Sequence, residues 1–188
     1  MDASGALLVS AILLGLLLGG AAISFNRFVA QRNHVRESWS NIDTELRRRY
    51  DLIPNLVETV KGYAQHEQAT LEAVIRARSS AAADEGSPEH QAETERGLVR
   101  SLRELLAVAE GYPDLKANRH FEELQAQLTE TEDRIQLARR IYNANVRDLN
   151  RRVQAFPSNV VATVMGIGEA EFFEVEAAIR DRAPATNF

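Results

Sequence analysis

Apolar and polar positions follow two different rules along this chain. From Gly5 to Phe25 no side chain ionises, and Leu, Ile, Val, Ala and Gly dominate. From Asn26 onward apolar residues recur every three and four positions among charged ones. At about 1.5 Å of rise per residue, the uncharged run makes a helix about 30 Å long, which matches the hydrocarbon core of a bilayer. The later pattern predicts amphipathic helices. Its clearest stretch places Phe121, Leu128, Ile135, Tyr142, Leu149 and Phe156 at successive heptads, with Leu124, Thr131, Ala138 and Asn145 at the companion positions. Such a seam predicts one long final helix in coiled-coil-like contact with its neighbours.

An earlier stripe runs through Val35, Trp39, Ile42, Leu46, Ile53, Val60, Tyr63 and Leu71. Pro54 interrupts it, and proline clashes with the preceding turn and removes a donor. Either Asp51 caps a new helix with Pro54 in its first turn, giving a tight hairpin, or one kinked helix runs through. The phase kept from Trp39 to Val60 leans to the second, without settling it. A linker follows at Asp84 to Pro88, with Ser87 as N-cap and Pro88 as first helical residue. The next helix carries Leu98, Leu102, Leu105 and Ala109 on one face and stops at Gly111-Tyr112-Pro113, with Asp114 expected to cap the final helix. Short connections favour antiparallel neighbours. The expected fold is therefore all-α: a transmembrane helix over residues 1–25, then an antiparallel up-and-down bundle of three or four long helices over 26–156. A tail over 157–188 is expected to fold back and bury its apolar side, the alternative being an exposed patch around Phe172 and Phe173.

Charge placement orients the anchor. A cleaved secretory signal would use the short Leu7–Leu18 core and the small residues Gly20-Ala21-Ala22, but it needs a positive leading region, and only Asp2 and the terminal amine precede the core. The positive charge follows instead, as Arg27, Arg32 and Arg36 ahead of the first acid, Glu37. That bias predicts an uncleaved anchor with the N-terminus outside and the bundle in the cytoplasm. The absence of cysteine fits a reducing compartment. With 22 basic against 27 acidic residues the chain is mildly acidic, which argues against nucleic-acid binding.

A family likeness is carried by Asn33, Val35 to Trp39, Ile42-Asp43 and the run Arg48 to Val57. It continues through Val60 to Ala64, His66-Glu67, Tyr112 to Asn118, Thr131-Glu132, Arg134-Ile135, Ala138-Arg139, Tyr142-Asn143 and Phe156 to Asn159. Over essentially everything after Phe25, these motifs in this order resemble LemA proteins. Met165-Gly166-Ile167 departs from the pattern, since the family more often places aromatic residues around that glycine. The resemblance implies a bacterial single-pass inner-membrane protein with a helical-bundle domain and no agreed biochemical function. Some relatives are associated with membrane compartments in magnetosome-forming bacteria.

The residues themselves carry no recognised catalytic or metal-binding motif. No Glu-x-x-His pair occurs, and His66-Glu67 lacks a second histidine because position 70 is Thr70. His34, His66, His90 and His120 form no i, i+4 pair, and there is no phosphate-cradling loop or nucleophile elbow. Asp43, Glu45 and Asp51 read as caps or partners of Arg47 to Arg49 on a solvated face. No catalytic, cofactor-binding or metal residue is therefore assigned. The candidate residues are Arg27, Arg32 and Arg36 for lipid headgroups, and Trp39, Asn145, Phe172 and Phe173 for a partner or oligomer seam. Trp39 at a stripe position also reads as core, and Asn145 as a satisfied core amide. The expected function is a non-enzymatic, membrane-anchored scaffold or interaction protein of the bacterial inner membrane, with protein partners or a second copy of itself. The alternatives are a membrane-organising homo-oligomer and a ligand sensor or enzyme subunit.

Overall fold

A computed structural model describes residues 3–175, which are helical apart from their connections, with no strand among them. Asp2 and the part of the expected tail at 176–188 lie outside the described residues. Six helices follow in order: α1 (Ala3–Lys61), α2 (Gln68–Ala82), α3 (Pro88–Ala109), α4 (Pro113–Lys116), α5 (Arg119–Gln154) and α6 (Ser158–Val164). The contacts divide into two compact units. The first holds the start of α1 up to Ser38 together with Asn143–Ala170; the second holds Trp39–Tyr142 together with residues 171–175. Helices α1 and α5 contribute to both. Of the described helices, α1 alone is long and apolar enough to cross a membrane.

Helix α1 continues unbroken through Pro54, and the chain turns only at Gly62 to Glu67. A proline at 54 has no N–H for the Tyr50 carbonyl, four residues back. Arg78 of α2 replaces it, its Nε donating to Tyr50 O at 3.0 Å. The helix passes through its proline because a neighbouring helix satisfies the acceptor that the proline orphans.

The second unit buries Ile42, Leu46, Ile53 and Val60 of α1, as the stripe predicts, and Leu56 beside them, whereas Tyr63 of the stripe is exposed. Leu71 and Val74 of α2 are buried with them, as are Leu98, Leu102 and Leu105 of α3. Helix α3 starts as read from sequence, with Pro88 in its first turn and Ser87 accepting from His90 N. In the loop before it, Asp84 Oδ1 accepts from Gly86 N at 2.8 Å and Oδ2 from Thr94 Oγ1 at 2.9 Å. A Cβ at Gly86 would come within 2.9 Å of Asp84 Oδ1, so a larger residue there would push the Asp84 carboxylate aside. The start of α5 differs from expectation. Leu115 is buried in the extra turn α4, and the cap is not Asp114 but Asn118, whose Oδ1 accepts from His120 N at 2.8 Å and Phe121 N at 3.2 Å.

Along α5 the heptad seam is buried from Phe121 through Leu128, Thr131, Ile135 and Tyr142 to Leu149. Its end drifts. Val146 is fully buried while Asn145 is half-buried, and α5 stops at Gln154, leaving Phe156 exposed in the turn that follows. A helix with 3.6 residues per turn slips about 20° per heptad, so a strict repeat cannot hold one face indefinitely.

In the first unit, Phe28 of α1, Leu149 of α5 and Ala162 of α6 form the core, with Val35, Val153 and Ile167 packed against it. Helix α6 ends at Gly166, whose φ of 62° suits a residue without a Cβ. There Gly166 N donates to Thr163 O and Ile167 N to Ala162 O, the two bonds of a Schellman cap. The chain then returns along α5, where Asn150 exchanges two bonds with the Ala170 backbone, at 2.9 and 2.8 Å.

The proline account is open to a double-mutant cycle. Arg78→Met should cost about 1–3 kcal/mol, the range for an acceptor left without its partner. In a Pro54→Ala background it should cost clearly less, because the restored backbone N–H at position 54 takes the Tyr50 carbonyl. Denaturant unfolding of the full-length protein in detergent, followed by circular dichroism, reads both. Equal losses in the two backgrounds would remove this role from Arg78.

Candidate functional site

The most unusual chemistry in the second unit is a buried charge cluster. Arg49 sits on α1 between Leu46 and Ile53, at a position the apolar stripe would otherwise fill. It is 1% exposed. Its NH1 donates to Glu132 Oε2 of α5 at 2.9 Å, and its NH2 to Glu95 Oε2 of α3. The Tyr50 hydroxyl donates to Glu95 Oε1, and Gln91 Nε2 reaches the same oxygen at 3.2 Å and the Ala81 carbonyl at 3.1 Å. Arg49 Nε has no hydrogen-bond partner among the described residues. Three helices therefore meet through one guanidinium and two carboxylates, with a phenol and an amide supplying further donors to Glu95. Burial, and then the negative charge of Glu95, push the Tyr50 hydroxyl well above the ordinary phenol range, so it stays a proton donor.

Sequence reasoning placed Arg47 to Arg49 together on a solvated face. Arg47 is there, paired with Asp43 at 2.9 Å; Arg49 is not. A signal was present in its spacing. Ile42, Leu46, Arg49, Ile53, Leu56 and Val60 form one continuous three-and-four series, and Gln91, Glu95, Leu98, Leu102 and Leu105 form another. A charged residue inside such a series is a buried one that must have a partner.

A second cluster is aromatic. Trp39 stacks at 5.3 Å, tilted, against Tyr142 and at 5.4 Å, edge-on, against Phe173. Tyr142 donates to Glu171 O at 2.9 Å. Burial and the Glu171 charge push its hydroxyl up to about 12. Phe173 is fully buried while its neighbour Phe172 is exposed, and Arg96 binds the Glu174 carbonyl beside them. The structure thus brings half-buried Trp39 against buried Phe173 and leaves Phe172 on the surface. Asn145, in the first unit, donates to His34 O at 3.3 Å and Ser38 Oγ at 3.2 Å, and its own carbonyl accepts from Gln31 at 3.3 Å.

The three arginines after the apolar run are all exposed but do not share a face. Arg32 and Arg36 are one turn apart, whereas Arg27 lies roughly on the opposite side of α1 at 3.6 residues per turn. Among the described residues no group of three or more His, Cys, Asp or Glu is placed to hold a metal ion.

Residues 38–188 match the LemA family. Magnetosome protein MamQ 2 of Paramagnetospirillum magneticum is 25% identical over 179 residues, covering 82% of this chain and 66% of that protein. Protein LemA of Metamycoplasma hominis is 25% identical over 153 residues, covering 79% of this chain and 68% of that protein. Magnetosome protein MamQ of Magnetospirillum gryphiswaldense is 22% identical over 179 residues, covering 82% of this chain and 66% of that protein. The chain thus spans slightly less than two thirds of the length of these MamQ relatives.

Two outcomes follow from the buried clusters. Arg49→Met, which leaves two carboxylates buried without their cation, should cost about 3–5 kcal/mol. The combined R49M/E95Q/E132Q variant should be more stable than R49M alone, as read by thermal unfolding in detergent. A titration tests the phenols. Because the Tyr142 hydroxyl is raised in the folded chain, its contribution is intact below the unfolded value of 10.0 and is lost as pH rises toward about 12. Stability should fall over that interval, and Tyr142→Phe should flatten the fall; an unchanged slope would contradict the assignment.

Proposed function

This chain belongs to the LemA family, and on that premise we propose that it is a membrane-anchored scaffold or interaction protein without enzymatic activity. In this reading α1 is a single-pass anchor in the bacterial inner membrane, with its N-terminus outside. The helices after it form an antiparallel up-and-down bundle in the cytoplasm. The observation that carries the reading is α1 itself. Its large apolar side chains from Leu7 to Ile23 are exposed, and no charged residue stands among them. A long uncharged helix with its apolar side chains outward suits a protein held at a membrane.

Supporting features are Arg27, Arg32 and Arg36 directly after the apolar run, which favour a cytoplasmic domain, and the short connections α1–α2 and α2–α3. Absence of a recognisable catalytic constellation in the sequence supports the non-enzymatic part. A second reading, a membrane-organising homo-oligomer, is favoured by relatives named as magnetosome proteins. Exposed Phe172 is the candidate contact for either.

Two measurements test this. A photo-crosslinker at Phe172 in intact cells should give a discrete adduct, with another envelope protein in the first reading and with a second copy in the other. A strictly monomeric chain without adducts would end both. Topology reporters at residues 2 and 188 should place the former outside and the latter in the cytoplasm, and R27Q/R32Q/R36Q should yield mixed orientations.

A further inference from the structure

The first unit contains a groove of about 910 Å³. One wall is α1 from Leu16 to Arg27; the other is the end of α5, the following turn and α6. Four large apolar side chains on the second wall face outward. Phe156 is 82% exposed, Val164 78%, Val160 55% and Met165 50%. This exposure is not slackness. Ala162 fixes one side of α6 in the core with Phe28 and Leu149, and the Gly166 cap fixes its end. Val160 and Val164, one turn apart, are therefore held on the opposite side of α6 from Ala162.

Depth identifies what covers them. Most of the α1 wall, Leu16 to Phe25, belongs to the uncharged run of the candidate membrane helix. Whatever depth those residues take in a bilayer, the residues facing them across the groove share it. Phe156, Val160, Val164 and Met165 are side chains that hydrocarbon accepts and water does not favour. At the rim stand Arg27 and Arg152, and neither makes an ion pair among the described residues. An apolar trough with two free guanidinium groups at its mouth matches an acyl chain joined to a phosphate.

We propose that α6 and the α5–α6 turn are a second membrane-contact element, whose groove against α1 holds an acyl chain of an anionic phospholipid while Arg27 and Arg152 bind its phosphate. This rests on the reading of α1 as the membrane anchor. It assigns Arg27 a role separate from Arg32 and Arg36, which lie on another side of the helix.

Because the chain has no cysteine, single-site labelling is direct. Leu17→Cys, Val160→Cys and Val164→Cys, each carrying a bimane, are reconstituted as full-length protein in vesicles of phosphatidylethanolamine and phosphatidylglycerol. All three labels should be quenched by doxyl-labelled lipid and protected from aqueous iodide. At positions 160 and 164, doxyl-phosphatidylglycerol should act at about thirtyfold lower concentration than doxyl-phosphatidylcholine, the preference that two arginines at an anionic surface supply. R27Q/R152Q should abolish that preference and keep the quenching. If position 17 is lipid-quenched but 160 and 164 respond to iodide, this proposal falls and the anchor stands. Iodide quenching at position 17 would overturn the anchor reading itself. Labels at 160 and 164 shielded from both quenchers would mean that protein, a second copy or residues 176–188, covers the groove instead of lipid. Equal potency of the two doxyl lipids on the wild-type side chains would show no selection for an anionic headgroup and would overturn the role given to Arg27 and Arg152.

Discussion

Arg49 carries a charge with no route to water, and the second unit is arranged around that constraint. Removing a guanidinium and two carboxylates from water costs several kcal/mol per ion, recovered only when all the partners arrive in good geometry. Here the partners come from α3 and α5, so the charges are satisfied only when three helices are in register together. A cluster of one cation and two anions is also short of positive charge. That shortfall explains why the Tyr50 hydroxyl and the Gln91 amide both turn toward Glu95. Hydrophobic burial of Leu98, Leu102 or Ile53 tolerates a slipped contact; this cluster does not. The cost in stability is exchanged for a single arrangement of the helices.

The same segment of α1 carries a second dependence. Pro54 leaves the Tyr50 carbonyl without its helical donor, and Arg78 supplies one from α2. Position 50 thus links α1 to α2 through its carbonyl and to α3 through its hydroxyl, one turn ahead of the proline. The family motif from Arg48 to Val57 covers Arg49, Tyr50 and Pro54 together, and the structure gives each a physical task. These tasks concern folding and helix registration.

In the first unit the design is different. Its core is small, built on Phe28, Leu149 and Ala162, and hydrogen bonds do much of the fastening. Asn145 ties α5 to the His34 carbonyl and Ser38, and Asn150 ties the chain after α6 back to α5. Asn145 is thereby half-buried, with its side-chain Nδ2 held by α1. With α6 fastened in this way, Val160 and Val164 face outward beside the uncharged part of α1, a placement suited to lipid and costly in water.

Much of the fold was legible from the residues, because helices announce themselves by local rules. The heptads of α5, the stripe of α1, the Ser87-Pro88 start of α3 and its stop before Gly111 all depend on neighbours within one or two turns. The continuity of α1 through Pro54 was not settled by such rules, because the donor that rescues it lies 28 residues away on another helix. Arg49 read as solvated because its neighbours Arg47 and Arg48 are basic, while its partners lie 46 and 83 residues distant. Asn118 as the cap of α5, the exposure of Phe156 and the separation of Arg27 from Arg32 and Arg36 around α1 likewise emerged only once the chain was folded. The sequence by itself determined the long helical stretches and that one of them is apolar enough for a bilayer, since periodicity and composition are properties of adjacent residues. The turn at Gly62 to Glu67 and the short helices α4 and α6 were not read from it. Tertiary structure decided which polar groups are buried together and which apolar groups are left outside, since a polar group's partner is chosen by where distant helices meet.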